Sequence, residues 1–133
     1  MRFLLDTNIA SFAIRGANEA LLTRLQSQPI GSVGISAITE AELLHGLARK
    51  PGAMALSASV HAFLRHVTSV AWDSDAAACY GPLRANLEAA GTPLGAMDTL
   101  IAAHAMVLKA TLVTNDQAFR RVPGLMVEDW SAG

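Results

Sequence analysis

The sequence predicts an α/β domain with a parallel sheet covered by helices on both faces, and three observations carry that prediction. Short apolar runs alternate along the chain with segments of helical period. Alternation of this kind implies parallel strands joined by right-handed crossovers. The length of 133 residues suits a single domain (1–133) with one core. Four acidic residues, Asp6, Glu42, Asp98 and Asp116, stand where apolar runs give way to helical patterns. In a wound α/β sheet such positions fall outside the carboxyl ends of the strands, where ligands gather.

Taken in order, Phe3 to Leu5 is a short apolar strand candidate, too brief to distinguish from a helical segment by period alone, and the natural centre of the sheet. Thr7 to Ile14 reads as a helix halted by Gly16. A second helix carries Leu21, Leu22 and Leu25 on one face, runs to about Ser27, and is ended by Pro29 and Gly31. Val33 to Ala37 is the next strand. Ile38 to Arg49 is an amphipathic helix, and after Pro51-Gly52 another spans Ala53 to Arg65. The β-branched and aromatic stretch Thr68 to Trp72 predicts a third strand. Asp73 to Ala90 is helical in pattern, but Gly81-Pro82 should kink or split it, because proline donates no backbone hydrogen bond. Gly91 to Gly95 is a loop. Asp98 to Lys109 is an apolar helix, Leu112 to Thr114 a strand, Gln117 to Arg121 a short helical turn, and Leu125 to Val127 an edge strand.

The composition is 52% apolar and only 16% charged, which argues against disorder and suggests a surface patch given to a partner. No apolar run approaches the ~18 residues that would span a bilayer, so no membrane role is expected. The N-terminus offers a strand in place of a signal peptide, and one cysteine, Cys79, excludes an internal disulfide. Both fit a reducing cytoplasm. Ten basic against eleven acidic residues leave a formal charge of −1, so charge alone gives no support for a nucleic-acid partner.

Each acid has a plain structural reading beside the chemical one. Thr39-Glu40-Ala41-Glu42 matches a capping box, and Asp6, Asp98 and Asp116 read equally as helix N-caps worth ~1 kcal/mol each. Convergence would change the balance. Two carboxylates ~4 Å apart repel by about 4 kcal/mol at an effective dielectric of 20, so a cluster needs a compensating cation. Carboxylates and water suit Mg²⁺ or Mn²⁺, whereas zinc prefers cysteine and histidine, which form no cluster here. Glu42-Leu43-Leu44-His45 matches half of a di-iron Glu-x-x-His pair, but no second copy follows. His45 reads as a helix-surface residue and His104 as a packed one. Among bases, Arg15, Arg49, Lys50 and Arg84 are candidates to hold a phosphate backbone. Arg84 is preferred because its helix leads towards the loop before Asp98.

Leu5-Asp6-Thr7-Asn8, Ser36-Ala37-Ile38-Thr39-Glu40-Ala41-Glu42-Leu43, Asp98-Thr99-Leu100-Ile101-Ala102-Ala103-His104-Ala105 and Leu112-Val113-Thr114-Asn115-Asp116 together resemble a PIN domain. More narrowly they resemble a VapC-type ribonuclease toxin of a toxin–antitoxin pair, and the resemblance runs to the closing Glu128-Asp129-Trp130. It implies a three-layer α/β/α fold with strand order 3-2-1-4-5, usually a homodimer, and Mg²⁺- or Mn²⁺-dependent cleavage of RNA, with tRNA among the candidate substrates. By resemblance Asp6, Glu42 and Asp98 are the core acids and metal ligands, Asp116 is a more variable fourth, and Asn8 and Thr114 support them. It further implies an antitoxin whose tail enters the acidic cleft, often with an arginine, whose fork suits carboxylates. Two other readings stay open. A scaffold module could bind an ion through the same acids, and a structure-specific DNA nuclease could share the centre. A receiver-like module is disfavoured because no lysine follows a late strand. A phosphatase of the Asp-x-Asp-x-Thr type is disfavoured because Asn8 occupies the second acid position.

Overall fold

The computed structural model describes residues 1–132. Its elements are β1 (Phe3–Leu5), α1 (Thr7–Arg15), α2 (Glu19–Ser27), β2 (Val33–Ser36), α3 (Ala37–Ala48), α4 (Met54–His66), β3 (Thr68–Val70), α5 (Ser74–Ala89), α6 (Ala96–Leu108), β4 (Thr111–Val113), a 3-10 turn at Gln117–Arg121 and β5 (Val127–Glu128). The five strands form one parallel sheet in the order β3-β2-β1-β4-β5. The three-layer α/β/α architecture and the strand order are those expected.

Successive strand residues point to opposite faces, so β1 supplies both halves of the core. Leu4 packs with Leu83, Leu87, Ile101 and Leu112 beneath α5 and α6. Phe3 and Leu5 pack on the other face with Ile9, Leu21, Ile35, Leu43, Val60 and Trp130, against α1 to α4. Burial on both sides explains why β1 is an unbroken apolar run and shows no alternation. Gly16 ends α1 in the left-handed conformation (φ 62°), which only glycine adopts without strain.

Three local expectations are corrected. The Gly81-Pro82 pair does not split its helix: α5 runs unbroken from Ser74 to Ala89. Both residues lie on the exposed face, as does Ala78, whose carbonyl loses its partner to the proline ring. That carbonyl can turn to water, while Ala76, Leu83 and Leu87 keep the helix seated in the core. The third strand stops at Val70, and Trp72 lies beyond it, its indole N–H donating to the Leu100 carbonyl (2.9 Å). Helix α6 begins at Ala96, so Asp98 sits inside its first turn and does not open it.

Candidate acidic active site

The centre of the site is the end of β1. Parallel register sets Leu5 opposite Val113, which puts the next residues, Asp6 and Thr114, side by side. Asp6 is only 4% exposed. Its Oδ1 accepts the Ile9 backbone N–H (2.9 Å), making it the N-cap of α1, and its Oδ2 accepts the Thr114 hydroxyl (2.5 Å). The Thr114 Oγ1 in turn accepts the Asp116 backbone N–H (3.0 Å), so one hydroxyl ties two of the four acids together. Asp116 caps the 3-10 turn through Oδ1, which accepts the Ala118 N–H (2.9 Å).

Glu42 reaches the same edge from α3. Its Oε1 accepts the Thr7 hydroxyl at 2.6 Å, and the Thr7 Oγ1 lies 3.1 Å from the Thr39 Oγ1. The capping-box reading of Thr39 and Glu42 is therefore replaced, because both lie within α3 and Ser36 is the N-cap. A spacing of three residues still puts them on one helical face, and that face meets the first turn of α1. Thr7 and Thr39 are the polar residues that sequence reasoning passed over. The available signal was a hydroxyl directly after the first acid and another one turn before the second.

Asp98 makes no side-chain hydrogen bond within the described residues and stands half-buried in the first turn of α6. Electrostatics link the acids. Burial, followed by the charges of Asp98 and Asp116, pushes the Asp6 carboxyl up to about 6 despite hydrogen bonds from Thr114 and Ile9 that act the other way. Asp98 is also raised, first by burial and then by Asp116 and Glu42. Asp6 and Asp98 thus each feel two other acids. Capping and clustering coexist here: Asp6 and Asp116 do both, whereas Glu42 and Asp98 cap nothing.

The donor set is all oxygen. Glu42 and Asp116 each commit one carboxylate oxygen to a hydrogen bond, and Asp98 commits none. No three Asp, Glu, His or Cys side chains among the described residues form a ready-made metal cage. Excess negative charge with uncommitted oxygens nevertheless suits a hard divalent cation.

The remaining candidates divide. Asn8 is exposed in the first turn of α1 and lines a cleft with Thr7 and Glu42. Arg84 is exposed on α5. It donates to the Tyr80 hydroxyl (2.7 Å), pairs with Glu88 (3.7 Å), and shares a small cleft with Pro93, Leu94 and Thr99, the neighbour of Asp98. His104 is buried, its Nδ1 2.8 Å from the Ser36 Oγ, and burial pushes its imidazole below the usual range. It is a packed core histidine, as its alanine-rich surroundings suggested.

Comparison with known proteins converges on one family. The PIN domain matches residues 3–125. The chain is 34% identical to a tRNA(fMet)-specific endonuclease VapC of Salmonella typhimurium, over 98% of each chain. It is 33% identical to ribonuclease VapC2 of Rickettsia felis, again over 98% of each. Among solved structures, it is similar to the DNA-bound VapBC of Salmonella typhimurium, with a TM-score of 0.91 and 34% identity over 98% of each chain. The VapBC2 complex of Rickettsia felis, bound to a fragment of its promoter, gives a TM-score of 0.88 at 32% identity, covering 98% of this chain and 99% of its counterpart.

Proposed function

The chain belongs to the PIN-domain family and, within it, to the VapC ribonuclease toxins of VapBC toxin–antitoxin pairs; on that premise we propose that Asp6, Glu42, Asp98 and Asp116 form the active centre of a divalent-metal-dependent endoribonuclease. What supports this reading is the linkage among the acids at the carboxyl edge of the sheet: Thr114 bonds both Asp6 and Asp116, the charges of Asp98 and Asp116 help to raise Asp6, and those of Asp116 and Glu42 help to raise Asp98.

Asp6 and Asp98 are the primary ligands for Mg²⁺ or Mn²⁺, Glu42 completes the set directly or through water, and Asp116 is auxiliary. When bound, the ion supplies Lewis-acid chemistry, acidifying water and offsetting charge on the reacting phosphate. The protein's part is orientation. Ile9 and Thr114 hold both Asp6 oxygens, so the carboxylate presents its remaining lone pairs in one direction. Thr7 holds Glu42 in the same way. Asp116 keeps Oδ2 free of hydrogen bonds within the described residues, which leaves it available to orient a water towards the phosphate. Asn8, which lines the cleft with Thr7 and Glu42, donates to the RNA on this reading.

The same reading assigns Arg84 to the RNA backbone beside Asp98, makes the active form a homodimer, and locates it in the cytoplasm with its cognate antitoxin. Arg84 carries its fork on the Tyr80 hydroxyl at the edge of the loop before Asp98. Arg84→Ala is expected to raise the RNA Kd about threefold to tenfold at constant thermal stability. An unchanged Kd removes Arg84 from the interface.

The function is tested by offering tRNA, single-stranded RNA and flapped DNA side by side. Internal cleavage of RNA is expected with Mg²⁺ or Mn²⁺, loss of cleavage in EDTA, and recovery on adding the ion back. Preference for flapped DNA would assign a DNA nuclease, and ion binding without cleavage of any substrate would assign a scaffold.

A further inference from the structure

The cleft that begins at Thr7, Asn8 and Glu42 does not end among acids. It extends between α1, α3 and α4 as a cavity of about 500 Å³, and its far wall carries Arg15, Arg49 and Lys50. The topology explains the polarity. Helix α1 starts at Asp6 and ends at Arg15, and α3 carries Glu42 and is followed directly by Arg49 and Lys50. At 1.5 Å per residue, the nine residues of α1 set its basic end about 13 Å from its acidic start. One cleft therefore has a carboxylate end and a cationic end.

None of the three bases forms an ion pair among the described residues; the pairs present are Arg24–Glu128 and Arg84–Glu88. All three are exposed. The Arg15 guanidinium rests over the Phe12 ring (5.2 Å), which steadies the group while leaving its N–H edge free for an oxyanion. Cations at helix C-termini complement the macrodipole, and that accounts for each base singly. It does not account for two helices delivering three unpaired cations to one cleft in a chain of net charge −1.

We infer that Arg15, Arg49 and Lys50 form a phosphate-binding subsite for single-stranded RNA, gripping backbone phosphates that flank the scissile bond while the acids act on it. The inference rests on the ribonuclease reading above. It also answers how an acidic centre with no basic surplus retains a polyanion: attraction is concentrated at one end of the cleft.

The test is the salt dependence of cleavage of a fluorogenic single-stranded RNA oligonucleotide in Mg²⁺. Each phosphate contact on a single strand contributes about 0.7 to the slope of log affinity against log salt, so Arg15→Ala/Arg49→Ala/Lys50→Ala together should flatten it by about 2. KM should rise tenfold or more at low salt, with most of the loss in KM and not in kcat. Arg15→Lys/Arg49→Lys, which preserves charge, should retain the slope, and Arg65→Ala/Lys109→Ala, outside the cleft, should leave it unchanged. Neutral methylphosphonate linkages beside the cleavage point should flatten the slope of the wild-type protein, a readout that needs no variant to fold. A wild-type slope and KM in the folded triple variant, together with an undiminished slope on the methylphosphonate substrate, overturn the subsite. Retained RNA affinity with lost antitoxin affinity also overturns it, assigning the cleft to an acidic protein segment. If the wild-type protein fails to cleave RNA, the parent reading falls and this one with it; if it cleaves with its slope indifferent to these changes, only this one falls.

Discussion

Asp98→Asn is expected to leave the protein folded and to lower RNA cleavage by a factor on the order of 10²–10³ or more, with loss of growth arrest on expression. The two halves of this expectation have separate grounds. The Asp98 side chain makes no hydrogen bond within the described residues, so an isosteric amide breaks no contact. The substitution removes a favourable interaction with the α6 dipole, worth about 0.3–1 kcal/mol. It also relieves the burial of a charge and then the repulsion from Asp116 and Glu42, which together raise Asp98. These effects oppose each other, and stability should barely move. Activity should not survive, because the amide offers a neutral oxygen where the proposed site needs an anionic ligand. Thermal melting and a single-turnover RNA assay on the same preparation separate the two. Full cleavage by a folded Asp98→Asn protein would remove Asp98 from the centre.

Asp6→Asn should do what few active-site substitutions in a core do: stabilise the protein while inactivating it. Burial holds the Asp6 carboxyl at about 6 in the folded state, above the 3.8 of an unperturbed aspartate. Between those values the native protein retains a proton that the unfolded chain has released, so stability falls as pH rises through the window. Above pH 6 the full penalty applies, roughly 3 kcal/mol for a shift of this size. Asp98, also raised, adds in the same direction. His104 works the other way, since its depressed imidazole costs stability as pH falls below the usual histidine range. The difference between variant and wild type cancels that contribution. Asparagine remains a good N-cap for the Ile9 N–H, although the Thr114 hydroxyl loses its anionic acceptor. A gain of roughly 1–3 kcal/mol is therefore expected at pH 7.5 in EDTA, shrinking towards zero near pH 4. Mg²⁺ should stabilise the wild type and not the variant. Urea denaturation at the two pH values checks this, and a less stable variant at pH 7.5 would make Asp6 a structural cap above all.

What could be read in advance follows a physical division. Elements marked by their own residues were legible, namely the end of α1 from Gly16 and the turn from Gln117 to Arg121, whereas the apolar run of β1 becomes a strand only through its pairing with β2 and β4. Another element decided by its neighbours was misjudged. Helix α5 survives Pro82 because α6 holds its buried face while the proline faces solvent, a tertiary effect that local propensity does not contain. The acids were legible as punctuation and Thr114 by resemblance, but the Thr7 and Thr39 hydroxyls beside Glu42 were not. Thr7 looks like an ordinary first-turn residue until α3 brings Glu42 within 2.6 Å. Arg15, Arg49 and Lys50 looked like separate helix ends until α1 and α3 were laid side by side.

The pairing of β1 with β4 has a consequence for the cell that makes this protein. Asp6 emerges from the ribosome long before Thr114, whose hydroxyl orients it, and the fourth acid lies two residues further on. A nascent chain short of those positions has no β4 to complete the centre of the sheet, whatever its N-terminal segments have begun to form. If the four-acid site is the active one, an incomplete toxin is inert. On that reading, the RNA around the ribosome would be spared during synthesis by the order in which the parts of the proposed site are delivered.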